Sequence, residues 1–277
     1  MNPLLEIKNL TTQFESDGVI KKAVDGISFS IRKGETVGLV GESGSGKSVT
    51  ALSIMRLLAA NGKISGGEII FHESGKSADL LQLPDGEIRK YRGNKMAMVF
   101  QEPSTALNPL FTCGEQVAEA LIVHGKASRG KARELSLSLL EKVQLKDAEQ
   151  VYESYPHQLS GGQKQRVMIA MAVSCSPSLL IADEPTTALD VTIQKAILGL
   201  LQSLRKENEM GMLFISHDLG VVSEIADRVI VLYQGKIVEE GSVQEIFRNP
   251  KHPYTKGLLA CRDRKSTRLN SSHTVIS

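Results

Sequence analysis

The sequence predicts an α/β fold with a mostly parallel sheet, an N-terminal antiparallel β part and an inserted helical subdomain. After residue 178, short and continuously apolar segments alternate with helical patterns, which is typical of a parallel sheet covered on both faces. Near the N-terminus, two segments alternate between apolar and polar residues, as strands with one solvated face do. Between these parts, residues 114–157 carry apolar residues at helical spacing, which indicates a helical insertion.

The composition restricts the class of protein. Of the 277 residues, 41% are hydrophobic, which suffices for a buried core, and the net charge of +2 provides no basic field for binding nucleic acid. No apolar run of about 18 residues predicts a membrane span, and no N-terminal pattern predicts secretion. Cys113, Cys175 and Cys261 are far apart and form no C-x-x-C pair. We therefore expect reduced thiols in a cytosolic protein without a structural metal.

The first elements are two strands joined by a turn. Residues 4–14 and 27–31 alternate in part between apolar and polar positions, which predicts antiparallel strands. The residues Ser16, Asp17 and Gly18 lie between them and predict the turn.

Residues 41–48 have a pattern that binds phosphate. They read Gly-Glu-Ser-Gly-Ser-Gly-Lys-Ser, which is two glycines five positions apart followed by Lys and Ser. Residues 36–40 predict a strand before this phosphate-binding loop (P-loop), and residues 49–58 predict a helix after it. Glycines let several N–H groups face one point at the helix N-terminus, where the dipole favours an anion. Lys47 would then reach the β- and γ-phosphates, and the Ser48 hydroxyl would bind Mg²⁺.

Two alternatives remain open in this part of the chain. The same pattern occurs as a glycine-rich turn in other α/β proteins. Phe14 is the aromatic residue placed to stack on an adenine ring, and a core position on a strand explains it equally well.

The next segments continue the alternation of strands and helices. The glycines within residues 62–67 predict a turn, and the polar residues of 73–84 predict a loop. The other elements are predicted from apolar runs and from helical spacing. They are a strand at 67–71, a helix at 85–91, strands at 95–100 and 179–182, a helix at 193–204, a strand at 212–215, a helix at 219–225 and a strand at 229–232.

Two carboxylates, Asp183 and Glu184, follow a buried strand. Ligands of open α/β sheets bind at the carboxyl ends of the strands. Asp183 could hold Mg²⁺, and Glu184 could take a proton from a water that attacks the γ-phosphate. The alternative is an acid pair that only solvates a loop.

A second anion site is predicted where residues 159–163, Leu-Ser-Gly-Gly-Gln, open a helix. Ser160 fits the N-cap position, and the two glycines leave N–H groups at the helix N-terminus. One phosphate chain cannot easily fill two such sites in one fold, so the second site would serve a nucleotide held by another subunit. The alternative is an ordinary capped helix start.

Together these motifs resemble those of the ABC-type ATPases, which carry them in the same order. The resemblance covers residues 4–245 and implies a P-loop NTPase core with a helical subdomain inserted at about residues 110–175. The matching motifs are residues 41–48, Gln101, residues 159–163, Asp183 with Glu184, residues 187–190 and His217.

The end of the chain resembles a narrower group. Residues 249–259, and residues 102–109 after Gln101, are similar to the oligopeptide/dipeptide/nickel importer ATPases. The importer-type segment spans residues 246–261. Residues 262–277 are polar and without periodicity, so we expect a disordered tail, and a non-native origin of these residues remains open.

The resemblance assigns nucleotide contacts residue by residue. Phe14 stacks on adenine, Asp190 contacts the partner's site, and the residues of the second anion site cap the γ-phosphate held by the partner. That second set is Ser160, Gly161, Gly162 and Gln163. The residues that wrap the chain's own phosphates are Gly41, Glu42, Ser43, Gly44, Ser45, Gly46, Lys47, Ser48 and Val49.

The resemblance also assigns the catalytic roles. Glu184 is the general base, Lys47 acts on the phosphates, and His217 holds the γ-phosphate and orders base and water. Gln101 contacts the attacking water and signals to the membrane subunit, and it contributes to the Mg²⁺ site with Ser48 and Asp183. Taken singly, His217 would be a helix-capping residue and Gln101 a strand-end residue bonding to backbone.

The resulting hypothesis is that the protein is an ATPase that binds ATP and Mg²⁺ and powers solute import from the cytoplasmic face of the inner membrane. Peptides are the solutes that the resemblance favours. Its expected partners are a second ABC ATPase, as homodimer or heterodimer, membrane permease subunits and a solute-binding protein, with no nucleic acid. Whether the chain is one half of a fused double ATPase remains open. The alternative is a soluble ABC ATPase acting on nucleic acid or ribosomes.

Overall fold

The computed structural model describes residues 3–73 and 75–260. Cys261 lies outside these residues, as does the tail at 262–277, for which we predicted disorder. The elements, in chain order, are β1 (Leu5–Ser16), β2 (Val19–Ile31), β3 (Thr36–Val40), α1 (Lys47–Ile54), β4 (Gly62–Glu73), β5 (Lys76–Asp79), α2 (Asp85–Tyr91), β6 (Met96–Val99), α3 (Pro103–Ala106), α4 (Cys113–Val123), α5 (Arg129–Lys142), α6 (Ala148–Glu153), a 3-10 helix (Pro156–Gln158), α7 (Gly161–Val173), β7 (Leu179–Asp183), α8 (Val191–Asn208), β8 (Gly211–Ser216), α9 (Leu219–Ile225), β9 (Arg228–Tyr233), β10 (Lys236–Ser242), α10 (Val243–Arg248) and α11 (residues 253–260).

The chain divides into two compact units, which are described separately. Among the described residues, unit I consists of residues 3–4, Ile31–Gly34 and Phe71–Leu213. Unit II consists of Leu5–Ser30, Glu35–Ile70 and residues 214–260.

Unit I contains two buried parallel strands and the helical insertion. β6 pairs in parallel with β7, and Val99 lies beside Ala182. Every residue of both strands is buried, as expected for strands covered on both faces. α4, α5, α6 and α7 lie between β6 and β7 in the chain, and α4 packs against the other three. The helical character predicted for residues 114–157 is therefore present.

Unit II contains two hairpins and the strand that leads into the P-loop. The strands β10, β9 and β3 are neighbours in that order, with β3 parallel to β9 and β10 antiparallel to β9. In the second sheet of this unit, β1 lies between β2 and β4. Asp17 and Gly18 turn β1 into β2, and Gln234 and Gly235 turn β9 into β10, all four with φ between 46° and 78°. Two-residue hairpin turns require such positive φ values.

The predicted fold class is confirmed, and the bounds of α2 and α9 agree with the predicted helices. The predictions for three segments were wrong. The predicted turn at residues 62–67 is the first half of β4, the predicted loop at 73–84 contains β5, and the helix predicted at 49–58 runs from Lys47 to Ile54. β10 and α10 were not predicted.

The error at residues 62–67 has a physical reason. Gly67 has φ of 99°, and a Cβ there would lie 2.6 Å from the Lys8 carbonyl oxygen of β1. A glycine within a strand often marks such a close approach of two backbones, whereas we took the glycines for a turn. The domain boundaries at 4–245 and 246–261, and the subdomain at about 110–175, remain predictions.

Candidate functional site

The P-loop lies in unit II between β3 and α1. All residues of β3 are buried, and the loop leaves its carboxyl end at Gly41. Two glycines are required by close contacts rather than by flexibility alone. A Cβ at Gly41 would lie 2.2 Å from the Leu232 carbonyl oxygen, and a Cβ at Gly46, where φ is 105°, would lie 2.4 Å from the Ala23 carbonyl oxygen. Neighbouring strands therefore hold the loop in a tight turn.

The ammonium group of Lys47 is buried inside this loop. The residue is 5% exposed, and its Nζ donates hydrogen bonds to the carbonyl oxygens of Gly41 at 2.8 Å and of Glu42 at 2.9 Å. Lysine side chains are almost never fully buried unless they are paired, so the groups around this ammonium must stabilise its charge. Here the loop carbonyls bind the ammonium at the position where the pattern predicts phosphate.

The loop has polar groups that fit an anion. α1 begins after Gly46 without a side-chain cap and without an acidic residue in its first turn, so its first N–H groups have no partner within the helix. The Ser45 hydroxyl is buried and has no hydrogen-bond partner in the described part of the chain, while its carbonyl accepts from Gly235 N–H at 3.0 Å. Helix N-termini of this kind favour negative charge.

The carboxylates predicted from sequence lie in unit I at the end of β7. Asp183 is the last residue of the strand and is 5% exposed, whereas Glu184 is half-buried and has φ of 46°. A non-glycine residue in this region is uncommon and is enriched at functional sites. The strand thus ends at Asp183, and Glu184 begins the turn that follows it.

Glu184 is held by two donors. Gln101 Nε2 donates to its Oε2 at 3.2 Å, and Thr187 Oγ1 donates to the same oxygen at 2.9 Å. Gln101 follows β6, and since β6 and β7 are parallel neighbours, both residues lie at one edge of the sheet. The structure thus brings together two predicted residues that are 83 positions apart.

The second predicted anion site, residues 159–163, also lies in unit I. Ser160 caps α7 in a capping box: its Oγ accepts from Gln163 N–H at 3.3 Å, and Gln163 Oε1 accepts from Ser160 N–H at 2.9 Å. The cap uses two of the polar groups, and the N–H groups of Gly161 and Gly162 remain at the start of the helix.

The start of α8 packs against this turn. Asp190 is the N-cap of α8, and its Oδ1 accepts from Ile193 N–H at 2.9 Å. A Cβ at Gly162 would lie 3.0 Å from Ile193 Cγ2, whereas a Cβ at Gly161 would meet only Leu189 Cδ2 at 3.8 Å. Packing within unit I therefore explains the absence of a side chain at Gly162 but not at Gly161.

Two further predicted residues, His217 and Phe14, belong to unit II. His217 is exposed and follows β8, a neighbour of β3, but it does not cap α9; Asp218 does so, accepting from Gly220 N–H at 2.7 Å. The ring of Phe14 is half-buried on β1 and packs at Gly62, where a Cβ would lie 2.7 Å from Phe14 Cε1.

Sequence reasoning missed Thr187 and Tyr254. Thr187 belonged to a motif that we recognised, but no role was assigned to it; its hydroxyl holds Glu184. Tyr254 accepts from the Glu42 N–H of the P-loop at 2.9 Å, across 212 positions of sequence, and no local signal could have revealed this contact. None of the helices in the described ranges has the length and apolarity that a membrane span requires.

Comparison with known protein families decides the class. Residues 24–187 match the model of the ABC transporter family. The chain belongs to this family. It is an ATP-binding cassette ATPase, and residues 238–271 match a second model, the C-terminal region of oligopeptide/dipeptide transporters. The resemblance inferred from the motifs is thereby confirmed.

Relatives and solved structures agree with this class. The ABC ATPase is 56% identical to a putative peptide import ATP-binding protein of Brucella melitensis biotype 1, over 93% of this chain and 77% of that protein. It is 52% identical to the glutathione import ATP-binding protein GsiA of Escherichia coli O157:H7, over 93% of this chain and 42% of that protein. A dimeric, post-hydrolysis structure of the ATP-binding cassette MJ0796 bound to ADP and Pi superposes with a TM-score of 0.74 and 32% identity, covering 86% of this chain and 98% of that one.

Proposed function

We propose that the chain is the ATP-hydrolysing subunit of a peptide importer, in which ATP closes two such subunits face to face and hydrolysis reopens them. The observation that carries the proposal is the buried Lys47 ammonium at the uncapped N-terminus of α1. The peptide- and glutathione-import names of the relatives and the C-terminal region at 238–271 support import of peptides.

The P-loop would bind the phosphates of ATP. Lys47 would exchange the carbonyl oxygens of Gly41 and Glu42 for oxygens of the β- and γ-phosphates. Ser45 would donate its buried hydroxyl, and residues 41–49 would wrap the phosphate chain with their N–H groups. Phe14 would stack on the adenine ring.

Three side chains would hold Mg²⁺: Ser48, Asp183 and Gln101. They offer a hydroxyl, a carboxylate and an amide oxygen, which are the hard oxygen ligands that Mg²⁺ prefers. When bound, the ion supplies positive charge that stabilises the transferring phosphoryl group.

Glu184 would act as the general base. Gln101 and Thr187 both donate to its Oε2, which fixes the carboxylate that would take a proton from water. His217 would hold the γ-phosphate and help to order the water.

The second anion site would complete the nucleotide site of a partner subunit. Ser160, Gly161, Gly162 and Gln163 would cap the γ-phosphate bound to the partner's P-loop, with Asp190 beside them. Packing within unit I does not require a glycine at position 161, and a glycine lets a ligand approach the backbone closely, which supports this role. The partner would be a second copy or a related ABC ATPase.

Membrane subunits would bind unit I near Gln101. Leu110 and Phe111 are 79% and 52% exposed in the segment that follows Gln101, and neighbouring exposed apolar side chains mark interaction surfaces. The subunit would lie at the cytoplasmic face of the inner membrane, in a complex with permeases and a solute-binding protein.

Nucleotide binding is tested with Lys47→Ala. Calorimetric titration with Mg-ATP should show at least a tenfold weaker affinity than in the parent, because a buried charged donor is lost. Lys33→Ala is the matched control, since it removes a lysine that only pairs with Glu209 on the surface. Unchanged affinity in Lys47→Ala would contradict the proposed role of the loop.

Transport is tested by co-purification from detergent-solubilised membranes. The tagged parent should retain permease subunits, and Phe111→Glu should lose them while still binding Mg-ATP. Val19→Glu places the same charge on another exposed apolar position, in unit II, and should retain the permeases. Recovery of ribosomes or nucleic acid in place of permeases would refute import.

A further inference from the structure

The C-terminal segment reaches the P-loop within unit II. Tyr254 lies in α11, and its Oη accepts a hydrogen bond from the Glu42 N–H at 2.9 Å. Its ring packs on that of Tyr233 at the end of β9, with ring centroids 4.2 Å apart and an interplanar angle of 38°. A residue outside the nucleotide-binding motifs therefore contacts the loop directly.

Tyr254 shares one peptide group with Lys47. The carbonyl of the peptide that joins Gly41 to Glu42 accepts from Lys47 Nζ at 2.8 Å, and the N–H of the same peptide donates to Tyr254 Oη. Hydrogen bonds in such a chain polarise one another. Burial raises the pKa of Tyr254, so the hydroxyl is neutral at pH 7. The peptide is thus held at both ends, by the loop lysine and by the C-terminal segment.

The segment that carries Tyr254 is itself anchored to β10. The carboxylate of Glu239 accepts from the N–H groups of Lys251 at 2.7 Å and His252 at 3.0 Å. His252 Nδ1 in turn accepts from the Tyr254 N–H at 3.2 Å. These bonds order the backbone before Tyr254, so its hydroxyl is placed in advance and little conformational entropy is lost in holding the loop.

We propose that Tyr254 is a positioning residue of the P-loop, through which the C-terminal segment sets the affinity for nucleotide. The inference rests on the proposed binding of ATP by this loop. When Lys47 leaves the Gly41 carbonyl for a phosphate, Tyr254 still holds the 41–42 peptide by its N–H, and the loop keeps the shape that receives phosphate. Without the hydroxyl, this peptide can rotate, and its ordering must be supplied by the binding of ATP.

The test uses Tyr254→Phe in the full chain, which removes the hydroxyl and keeps the ring against Tyr233. Tyr233→Phe is the matched control, because it also removes one hydroxyl of the ring pair, whose bond is to its neighbour Gln234 rather than to the P-loop. In calorimetric titration, Tyr254→Phe should weaken Mg-ATP binding about three- to tenfold, which corresponds to the loss of one hydrogen bond, and Tyr233→Phe less than twofold.

Two further measurements separate positioning from a general structural role. Hydrogen exchange of the Glu42 amide should accelerate in Tyr254→Phe alone, with exchange elsewhere in unit II unchanged. In ATP hydrolysis, KM should rise by the same factor as the dissociation constant, while kcat stays within twofold.

Three results would overturn the inference: an affinity within twofold of the parent in Tyr254→Phe, the same loss in Tyr233→Phe, or faster exchange throughout unit II. Lys47→Ala distinguishes this failure from that of the proposed function. If the parent binds Mg-ATP and Lys47→Ala does not, ATP binding by the loop holds whatever Tyr254→Phe shows. If the parent does not bind Mg-ATP, the proposed function itself fails.

Discussion

Replacing Glu184 by Gln should abolish hydrolysis and preserve ATP binding. General bases contribute about 10²- to 10⁴-fold to a rate, so we expect hydrolysis to fall at least 100-fold, equivalent to about 2.7 kcal/mol of activation free energy. The fold should tolerate the change, because an amide oxygen at the position of Oε2 still accepts from both Thr187 and Gln101. The cost to stability should be at most about 1 kcal/mol.

The assay is steady-state phosphate release at saturating Mg-ATP, with size-exclusion chromatography in ATP to detect a trapped closed dimer. Glu209→Gln is a close control, since Glu209 also has a positive φ, of 48°, and its carboxylate pairs with Lys33. It should hydrolyse ATP at the parental rate. If Glu184→Gln retains hydrolysis within tenfold of the parent, Glu184 is not the base, and the interpretation of the Gln101–Glu184 pair as a catalytic arrangement is wrong.

Three further predictions concern the second anion site and stability. Ser160→Arg should abolish hydrolysis when both subunits carry it, and full activity would contradict the cross-subunit site. Ser242→Arg removes a similar capping box at α10 and should only lower the free energy of unfolding by about 1 kcal/mol. Gly162→Ala should lower the melting temperature by about 2–4 °C because its Cβ meets Ile193 at 3.0 Å. Gly161→Ala should not lower it but should slow hydrolysis, as thermal unfolding and phosphate release will show. Burial opposes ionisation of the Glu73 carboxyl, but hydrogen bonds from Lys95 and Ser178 lower its pKa overall from its ordinary value of 4.5. The ionised carboxylate therefore stabilises the fold above pH 4.5, and this stabilisation is lost as the pH falls through the lowered pKa. Glu73→Gln should flatten the decline of the melting temperature in that acid range, and an unchanged slope would refute this.

The parts of the fold that could be predicted depend on contiguous patterns. The P-loop is a single stretch of eight residues, and its structural context, a buried strand before and a helix after, agreed with the prediction. The Asp17-Gly18 dipeptide indicated the first hairpin because it supplies two residues that adopt positive φ readily. The second hairpin uses Gln234 and Gly235, a weaker form of the same signal, and β10 was therefore missed.

The contacts that organise the site could not be predicted in the same way. Gln101 and Glu184 meet because β6 and β7 pair in parallel with the whole helical insertion between them in the chain. The bond between Tyr254 and Glu42 depends on α11 returning to the P-loop. Local patterns specify which side chains lie at strand ends, but only the pairing of the strands decides which of them become neighbours.

The glycines of residues 161 and 162 show how structure separates stability from function where sequence cannot. Both positions have the same residue, and from sequence both were assigned to the partner's γ-phosphate. In the structure, a methyl group at position 162 would press on Ile193, so the fold alone accounts for Gly162. At position 161 a methyl group would have ordinary contact distance to Leu189, and an alanine would even restrict the unfolded chain. The proposal that Gly161 faces the γ-phosphate of a nucleotide held by a second subunit therefore concerns a glycine that packing within unit I does not require, at a helix N-terminus, which favours negative charge.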